Sequence, residues 1–270
     1  MRNMNQLIGT ADIVLITLDS LRFDVARRAF QEGRIPEIAK WLPVAGWEQR
    51  HAPGNFTYAS HHAFFAGFLP TPSSQGPHPR QFAAKFLGSE TTTPETFSFE
   101  EADLVTALGN RGYHTICIGG VGFFNKQTQL GQVLPSLFRE SHWSTELGVT
   151  CRDSTENQVR LATEILDRCP TEQRVFLFLN VSAMHQPNYF YLKDAKEDSA
   201  SSQLEALAYA DHWLGKLLSR IRSRSDAFCI LCSDHGTAYG ESGYRGHRLN
   251  HPVVSDVPYA EFFMPCEPCL

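Results

Sequence analysis

Residues 227–241, AFCILCSDHGTAYGE, place an apolar run of strand length directly before a group of polar side chains. An uninterrupted apolar strand is typical of the interior of a parallel sheet, which helices cover on both faces. Asp234 and His235 follow at the point where the strand would end. Open α/β sheets bind ligands at the carboxyl ends of their strands. This stretch therefore predicts both an α/β fold and the position of its site.

Further apolar runs of similar length are spread along the chain. They occupy residues 13–18, 115–118, 175–181 and 259–264. Apolar residues at helical spacing predict helices over residues 101–111, 154–167 and 202–221. Strands that alternate with helices indicate a mostly parallel sheet with helices on both faces.

Length and composition predict one globular domain over residues 1–270. A chain of 270 residues can bury a substantial core, and 42% hydrophobic with 20% charged residues is a globular composition. Pro, Gly, Ser and Thr predominate around residues 70–96, which predicts a loop-rich excursion from the domain. We find no composition break that would mark a second domain.

Charge and cysteine usage limit the class of partner and the compartment. A formal net charge of -5 gives no basic surface for nucleic acid, so we expect a small-molecule substrate. No apolar run approaches the roughly 20 residues that span a bilayer, and we expect neither a membrane anchor nor a signal peptide. Seven cysteines, several of them in apolar runs, favour a reduced, cytoplasmic protein. Cys266 and Cys269 have the spacing of a redox or half-zinc motif, and their role stays open.

Four side chains at segment ends are candidates for chemistry. Asp19 ends the first apolar run, where a carboxylate either needs a cation or caps the next helix. Thr57 precedes an apolar helical run, so it is either an N-cap or a hydroxyl at an anion-binding helix terminus. Asp234 and His235 can converge on one ion where their strand ends. Histidine with a carboxylate suits zinc, whereas carboxylates alone suit magnesium or calcium.

Four short motifs occur together in an order that is specific to one superfamily. They are DSLRFD at residues 19–24, TYAS at 57–60, MHQP at 184–187 and SDHGTAYGE at 233–241. On these motifs the chain resembles the alkaline phosphatase and sulfatase superfamily, and more closely the small bacterial proteins of its sulfatase-like metallohydrolase branch. The resemblance implies an alkaline phosphatase-like three-layer α/β/α sandwich with metal at the carboxyl ends of its strands.

The resemblance also implies roles for the candidate residues. Asp19, Asp234 and His235 match metal-ligand positions, and Thr57 matches the nucleophile whose oxygen is also a ligand. The expected activity is metal-dependent hydrolysis of phosphoric monoesters or diesters through a phosphothreonine intermediate. The expected cofactor is zinc, as one or two ions, with manganese or calcium as alternatives.

Further residues enter through their places beside these motifs. His185, His247 and His251 are candidates for a partial second metal site, or for holding the phosphoryl group as imidazolium donors. His247 matches the position of a substrate-binding lysine in sulfatases, so we place it in the catalytic set and assign His185 and His251 to metal. Asn55 precedes Thr57 closely enough to donate a hydrogen bond to an oxyanion.

Departures from the sulfatase pattern keep alternatives open. Thr57 cannot be oxidised to the formylglycine that sulfatases use, which disfavours sulfate esters. His61 stands where sulfatases have an arginine, and Val181 stands where two-zinc relatives have an acid. The alternatives are a phospho-headgroup transferase, a sulfatase-like hydrolase of another ester, and a non-catalytic metal-binding scaffold with a degenerate site.

Two structural roles are also predicted near the motifs. Arg22 and Asp24 should form an ion pair under the loop that follows the first strand. Glu241 should anchor the glycine-rich loop through hydrogen bonds rather than bind metal.

Overall fold

The computed structural model describes residues 2–88 and 92–267. The helices are α1 (Met4–Leu7), α2 (Phe23–Gln31), α3 (Pro36–Ala39), α4 (Thr57–Phe65), α5 (Leu104–Asn110), α6 (Gln129–Val133), α7 (Ser154–Arg168), α8 (Ala200–Arg224) and α9 (Pro252–Ser255). The strands are β1 (Asp12–Leu18), β2 (Glu48–His51), β3 (Thr71–Pro72), β4 (Phe82–Ala84), β5 (Phe97–Phe99), β6 (His114–Ile118), β7 (Glu140–His142), β8 (Val175–Val181), β9 (Ala227–Cys232), β10 (Ala238–Tyr239), β11 (Arg245–Gly246) and β12 (Asp256–Met264).

Within the described residues, eight strands form one central sheet in the order β3-β2-β12-β9-β1-β8-β6-β7. The run from β9 to β7 is parallel throughout. β12 joins β9 antiparallel, and β2 and β3 extend that edge antiparallel. The expected mostly parallel α/β sheet is confirmed, and its apolar strands all lie where the sequence predicted them.

The three layers follow from the alternation of side chains along the strands. In β1, Val14 and Ile16 face one core, which α2, α3, α7 and α8 cover. Ile13 and Leu15 face the opposite core, which contains apolar side chains of α4 and α5. Because successive strand residues point to opposite faces, one apolar strand serves both cores. The result is the predicted α/β/α sandwich.

The segment around residues 70–96 contains more regular structure than its composition suggests. β3 extends the central sheet, and β4 pairs with β5 in a small parallel ladder. Phe82 is fully buried in the core on the α4 side, and this contact holds the segment against the domain. Residues 89–91 lie outside the described residues.

Two further predictions concern the membrane and the cysteine pair. Among the helices of residues 2–88 and 92–267, none is both long enough and apolar enough to cross a bilayer. Cys266 is a free, half-buried thiol, whereas Cys269 lies outside the described residues.

Candidate active site

The site lies at the edge of the sheet where three central strands end together. Leu18 of β1 pairs with Val181 of β8, and Thr17 of β1 pairs with Cys232 of β9. In a parallel sheet this register brings the residues after each strand to the same edge. Asp19, Asp234 and His235 therefore meet there, fully buried, with one ligand atom of each within 4.8 Å of the other two.

The carboxylate of Asp234 has one satisfied oxygen and one open oxygen. Its Oδ1 accepts the backbone N–H groups of Ser20 (3.1 Å) and His235 (3.0 Å). Its Oδ2 is buried without a hydrogen-bond partner in the described part of the chain. Leaving a carboxylate oxygen buried and unpaired is costly. A cation between the three ligand atoms would satisfy it, so these residues fit a divalent metal ion.

Asp19 and Asp234 respond to burial in opposite directions. Burial raises the pKa of Asp19, but the imidazoles of His185 and His235 and a hydrogen bond from Asn180 outweigh this and lower it overall. Burial and the charge of Asp19 raise the pKa of Asp234 well above its usual value. Two buried carboxyls at one point cannot both ionise cheaply without a cation.

His235 is held in the tautomer that a metal ligand needs. Its Nδ1 lies 2.8 Å from the carbonyl oxygen of Gly236, which can only accept, so Nδ1 carries the proton. Nε2 then carries a lone pair, and it lies 3.5 Å from Asp234 Oδ2 and 3.3 Å from Thr57 Oγ1. Burial lowers the pKa of His235 and keeps the ring neutral. A second-atom hydrogen bond of this kind is usual for metal-binding histidines.

Thr57 is the first residue of α4 and points into the same cluster. Its Oγ1 lies 3.4 Å from Asp19 Oδ2 and 3.3 Å from His235 Nε2. The side chain is buried, and the free N–H groups and dipole of the helix N-terminus favour negative charge at this place. The structure thus brings together all four residues that matched the metal and nucleophile positions.

A buried histidine supports Thr57 from the α4 side. His61 Nδ1 donates to the carbonyl oxygen of Thr57 (2.7 Å), so its Nε2 accepts from Thr17 Oγ1 (3.0 Å). Burial among phenylalanine rings, including Phe64 and Phe178, lowers the pKa of His61 to about 4. The ring is therefore neutral at physiological pH, with a fixed tautomer.

Asn180 is a site residue that the sequence reasoning missed. Its Nδ2 donates to Asp19 Oδ2 (3.0 Å) and to Thr17 Oγ1 (3.2 Å). Its Oδ1 accepts the backbone N–H groups of Gly120 (3.2 Å) and Val121 (3.1 Å). The available signal was a single amide in the apolar run VFLFLNV, since a polar residue inside a fully buried strand requires partners.

The structure brings two of the three additional histidines beside the cluster. The ring centroids of His235 and His247 lie 4.6 Å apart, and those of His185 and His247 lie 6.0 Å apart. Burial and these two imidazoles lower the pKa of His247 to about 4. Both effects favour the neutral imidazole, and the phosphoryl-binding role of His247 stays a prediction.

His251 and Asn55 are placed differently. His251 is the N-cap of α9: its Nδ1 accepts the backbone N–H of Val253 (3.2 Å), and its Nε2 lies 3.5 Å from Ser242 Oγ. It is not among the residues whose ligand atoms converge within 4.8 Å. Asn55 is half-buried two residues before Thr57, and its backbone carbonyl accepts from Arg248 N (2.9 Å). The metal role of His251 and the oxyanion role of Asn55 stay predictions.

An ion-pair network joins the two ligand-bearing loops. Arg22 donates to Asp24 through Nε (2.9 Å) and Nη2 (2.7 Å), and it also pairs with Glu241. Glu241 accepts the backbone N–H of Tyr239 (2.6 Å). The predicted Arg22–Asp24 pair and the anchoring role of Glu241 are both confirmed.

A cavity of about 270 Å³ opens beside Thr57. His185 and His247 line it together with the apolar side chains of Val121, Phe123, Leu130 and Val149. The nucleophile candidate therefore lies between a polar cluster and an apolar wall.

Solved structures with this fold support the architecture. The C-terminal periplasmic domain of phosphoethanolamine transferase EptC from Campylobacter jejuni is similar with a TM-score of 0.61 and 16% identity, covering 94% of this chain and 79% of that one. The corresponding domain of Escherichia coli EcEptC, in complex with Zn, gives 0.59 and 13%, covering 96% and 73%. Phosphoglycerol transferase GacH from Streptococcus pyogenes, in complex with sn-glycerol-1-phosphate, gives 0.52 and 13%, covering 94% and 69%.

Sequence comparison gives the family. No curated protein sequence matches the chain. The family model described as Sulfatase matches residues 11–257, which is most of the chain and includes every motif quoted above. The chain therefore belongs to the sulfatase family.

Proposed function

We propose that this protein is a metal-dependent hydrolase of phosphoric esters with Thr57 as its nucleophile. The observation that carries the proposal is the position of Thr57 Oγ1, buried at a helix N-terminus between Asp19 Oδ2 and His235 Nε2. A hydroxyl is a weak nucleophile until a base or a metal lowers its pKa. This is the arrangement that would do so.

The chemistry assigns one task to each residue. Asp19, Asp234 and His235 would hold a divalent ion, most simply zinc, which when bound lowers the hydroxyl pKa and neutralises phosphoryl oxygens. Thr57 Oγ1 would lose its proton and attack phosphorus while the bond from phosphorus to the leaving alcohol breaks, and the alcohol takes up a proton. Water would then attack phosphorus, the bond from phosphorus to Thr57 Oγ1 would break, and Thr57 would recover its proton as phosphate leaves. His247, whose ring lies beside that of His235, would donate a hydrogen bond to the phosphoryl group.

Phosphate esters suit this site better than sulfate esters. Sulfatases resembling this chain need a Cys or Ser that is oxidised to formylglycine, and position 57 carries Thr. Threonine retains a simple hydroxyl that can form and release a phosphoester.

The test combines metal analysis with three chromogenic esters. Metal content is measured on the purified protein, and p-nitrophenyl phosphate, bis-p-nitrophenyl phosphate and p-nitrophenyl sulfate are then assayed. We expect Thr57→Val, which keeps the side-chain shape, to lower phosphate-ester turnover by at least about a thousandfold. Thr155→Val is the matched control, since Thr155 is buried and its hydroxyl has no partner in the described residues.

Three outcomes would contradict the proposal. Equal turnover by wild type and Thr57→Val would remove Thr57 from the mechanism. Preference for the sulfate ester would overturn the reading of position 57. Bound metal without turnover of any ester would favour a non-catalytic metal-binding protein.

Transfer to an acceptor is the second candidate. The similar structures from C. jejuni and S. pyogenes are transferases of phosphoethanolamine and phosphoglycerol. A phosphothreonine at position 57 could react with an alcohol in place of water, because the position vacated by the leaving alcohol can receive another. Turnover in the presence of glycerol or ethanolamine separates the two: a transferase forms the new ester, and a hydrolase releases free phosphate.

The proposed setting is the cytoplasm, with a small anionic ester as substrate. The free thiols of Cys117, Cys229 and Cys232 are buried in the core, and burial raises the pKa of each. Such thiols are usual in reducing compartments. Fractionation of the source cells tests the location, and recovery outside the cytoplasm would contradict it.

A further inference from the structure

We propose that the cavity beside Thr57 selects phosphoric esters whose leaving alcohol is apolar and uncharged. The inference rests on the proposed function, and it names the substrate class of that site. The cavity holds about 270 Å³, and its lining includes Thr57 itself. That volume lies just below the range for drug-sized ligands, so it suits a group the size of an aryl ring or a short alkyl chain.

One wall of the cavity consists of apolar side chains. Val121 and Phe123 come from the segment after β6, Leu130 comes from α6, and Val149 comes from the loop before α7. Leu130 is 47% exposed. An apolar group that enters the cavity would remove this surface from water, and such burial is favourable.

The charge of the lining argues against a second anionic group on the substrate. Among the described residues that line the cavity, none is a lysine, arginine, aspartate or glutamate. Its two imidazoles, His185 and His247, lie on the side of Thr57. A second phosphate or a carboxylate would be desolvated there without a counter-charge, which is expensive. Sugar phosphates and nucleotides with two anionic groups are therefore poor candidates.

The wall is preformed. The amide of Asn180 holds Val121 through its backbone N–H, and the ring of Phe123 packs against Tyr58 with centroids 5.5 Å apart. Thr128 caps α6 by accepting from Gly131 N (3.0 Å), which fixes the short helix that carries Leu130. A wall fixed before binding costs little ordering entropy when the ligand arrives.

The reaction needs only water as a second reactant. Thr57 Oγ1 loses its proton and forms a bond to phosphorus, the bond from phosphorus to the oxygen of the apolar alcohol breaks, and that oxygen takes up a proton. Water then displaces Thr57 Oγ1 from phosphorus and releases phosphate. The cavity determines only which alcohol is held next to the breaking bond.

The test compares 1-naphthyl phosphate with glycerol 1-phosphate on matched variants. Leu130→Gln places an amide in the wall, whereas Val133→Gln makes the same change on α6 at a residue that does not line the cavity. Val133 is a fair control because it is 38% exposed. We expect Leu130→Gln to raise KM for 1-naphthyl phosphate about tenfold, the usual effect of spoiling one apolar contact. KM for glycerol 1-phosphate and both kcat values should change little, and Val133→Gln should match wild type.

A direct binding measurement separates this inference from the proposed function. Titration of 1-naphthol into Thr57→Val protein, followed by naphthol fluorescence, should show binding that Leu130→Gln weakens about tenfold in the same background. If naphthol binds in this way but no ester turns over, the proposed function fails while the selectivity of the cavity stands. Two results would overturn the inference. One is equal binding of 1-naphthol with and without Leu130→Gln, and the other is a lower KM for glycerol 1-phosphate than for 1-naphthyl phosphate in the wild-type protein.

Discussion

Strand β1 carries a buried aspartate at each end, and the two are partnered in opposite ways. Asp12, at the amino end, accepts from Arg224 Nη1 (2.6 Å), Ser225 Oγ (2.7 Å) and the backbone N–H of Val175 (2.9 Å). Asp19, at the carboxyl end, accepts hydroxyl and amide hydrogen bonds, and no lysine or arginine of the described chain pairs with it. Arg224 neutralises the charge of Asp12. Asp19 has no such partner among the described residues, so its charge is available to a bound cation.

The comparison distinguishes a structural acid from a functional one. A buried carboxylate with a guanidinium stabilises the native state only while both partners are present. A buried carboxylate beside a second carboxylate destabilises the native state until a cation arrives. Two equally buried aspartates therefore differ in role: Asp12 stabilises the fold, whereas Asp19 is a candidate for binding a cation.

The largest effect should come from removing the carboxylate of Asp19, at the carboxyl end of β1. Asp19→Asn removes the ligand charge and one of the two acceptor oxygens, at nearly unchanged side-chain volume. We expect loss of bound metal and a fall in kcat/KM of at least about a thousandfold, with little loss of stability in metal-free protein. Elemental analysis and chemical unfolding in chelator measure the two quantities. Retained metal with normal turnover would show that Asp19 is not a ligand.

Removing the carboxylate of Asp12, at the amino end of β1, should lower stability and leave metal binding unchanged. Asp12→Asn leaves the buried guanidinium of Arg224 without its counter-charge, and the free energy of unfolding should fall by about 3 kcal/mol. Metal content per folded molecule should equal that of wild type. A metal loss comparable to that of Asp19→Asn would mean that the two ends of β1 are coupled through the sheet.

The third variant changes His247, which lies beside His235 and lines the cavity. His247→Gln should lower kcat about a hundredfold, since His247 would contact the phosphoryl group, and should leave most of the metal in place. His235→Gln is the comparison, because that change should remove metal and turnover together. Equal metal loss in both variants would place His247 in the ligand set.

The smallest effect is a change in the free energy of unfolding with pH in metal-free protein. The pKa of Asp234 is raised on folding by burial and by Asp19, so the folded state holds this proton more tightly than the unfolded chain. The stability it contributes is complete below about pH 4, the unfolded pKa, and is lost as pH rises through the raised value. Asp19, with a lowered pKa, acts in the opposite sense and only below about pH 4.

The measurement is a difference between two proteins. Buried histidines with lowered pKa values also add stability as pH rises, and this contribution cancels between wild type and Asp234→Asn. We expect wild type to lose stability relative to Asp234→Asn by up to about 1.4 kcal/mol per pH unit above pH 4. Chemical unfolding in chelator across pH 4.5 to 7.5 measures it. A difference that does not change with pH would contradict the assignment.

The parts of the fold that burial dictates were predictable from the sequence. β1, β8 and β9 are buried along their whole length and mostly apolar because both faces are covered, and such runs are easily recognised. β2, next to the edge strand β3, has three of its four residues exposed, and the edge strand β7 has three half-buried residues. Both were missed because such short strands carry no apolar run. The edges of a sheet depend on tertiary pairing, which a local pattern does not record.

The same division applies to the site. Asp19, Asp234 and His235 were found because each follows a buried strand, and Thr57 because it begins an apolar helix. The support from Asn180 could not be deduced in the same way, since its partners lie far away in sequence. His251 shows a further limit: a histidine at a helix start can act as a cap, and spacing alone does not separate a cap from a ligand.

The amide of Asn180 also constrains how this protein could diverge. One side chain holds both Asp19 and the Gly120–Val121 backbone of the cavity wall, so a change that moves that backbone also disturbs the position of Asp19. In the described part of the chain, Leu130 and Val149 belong to segments without such a bond to Asp19. A descendant adapting to a different alcohol should accumulate its substitutions there, while residues 120–121 drift slowly. Libraries for altered specificity would best randomise positions 130 and 149 and leave Asn180 intact.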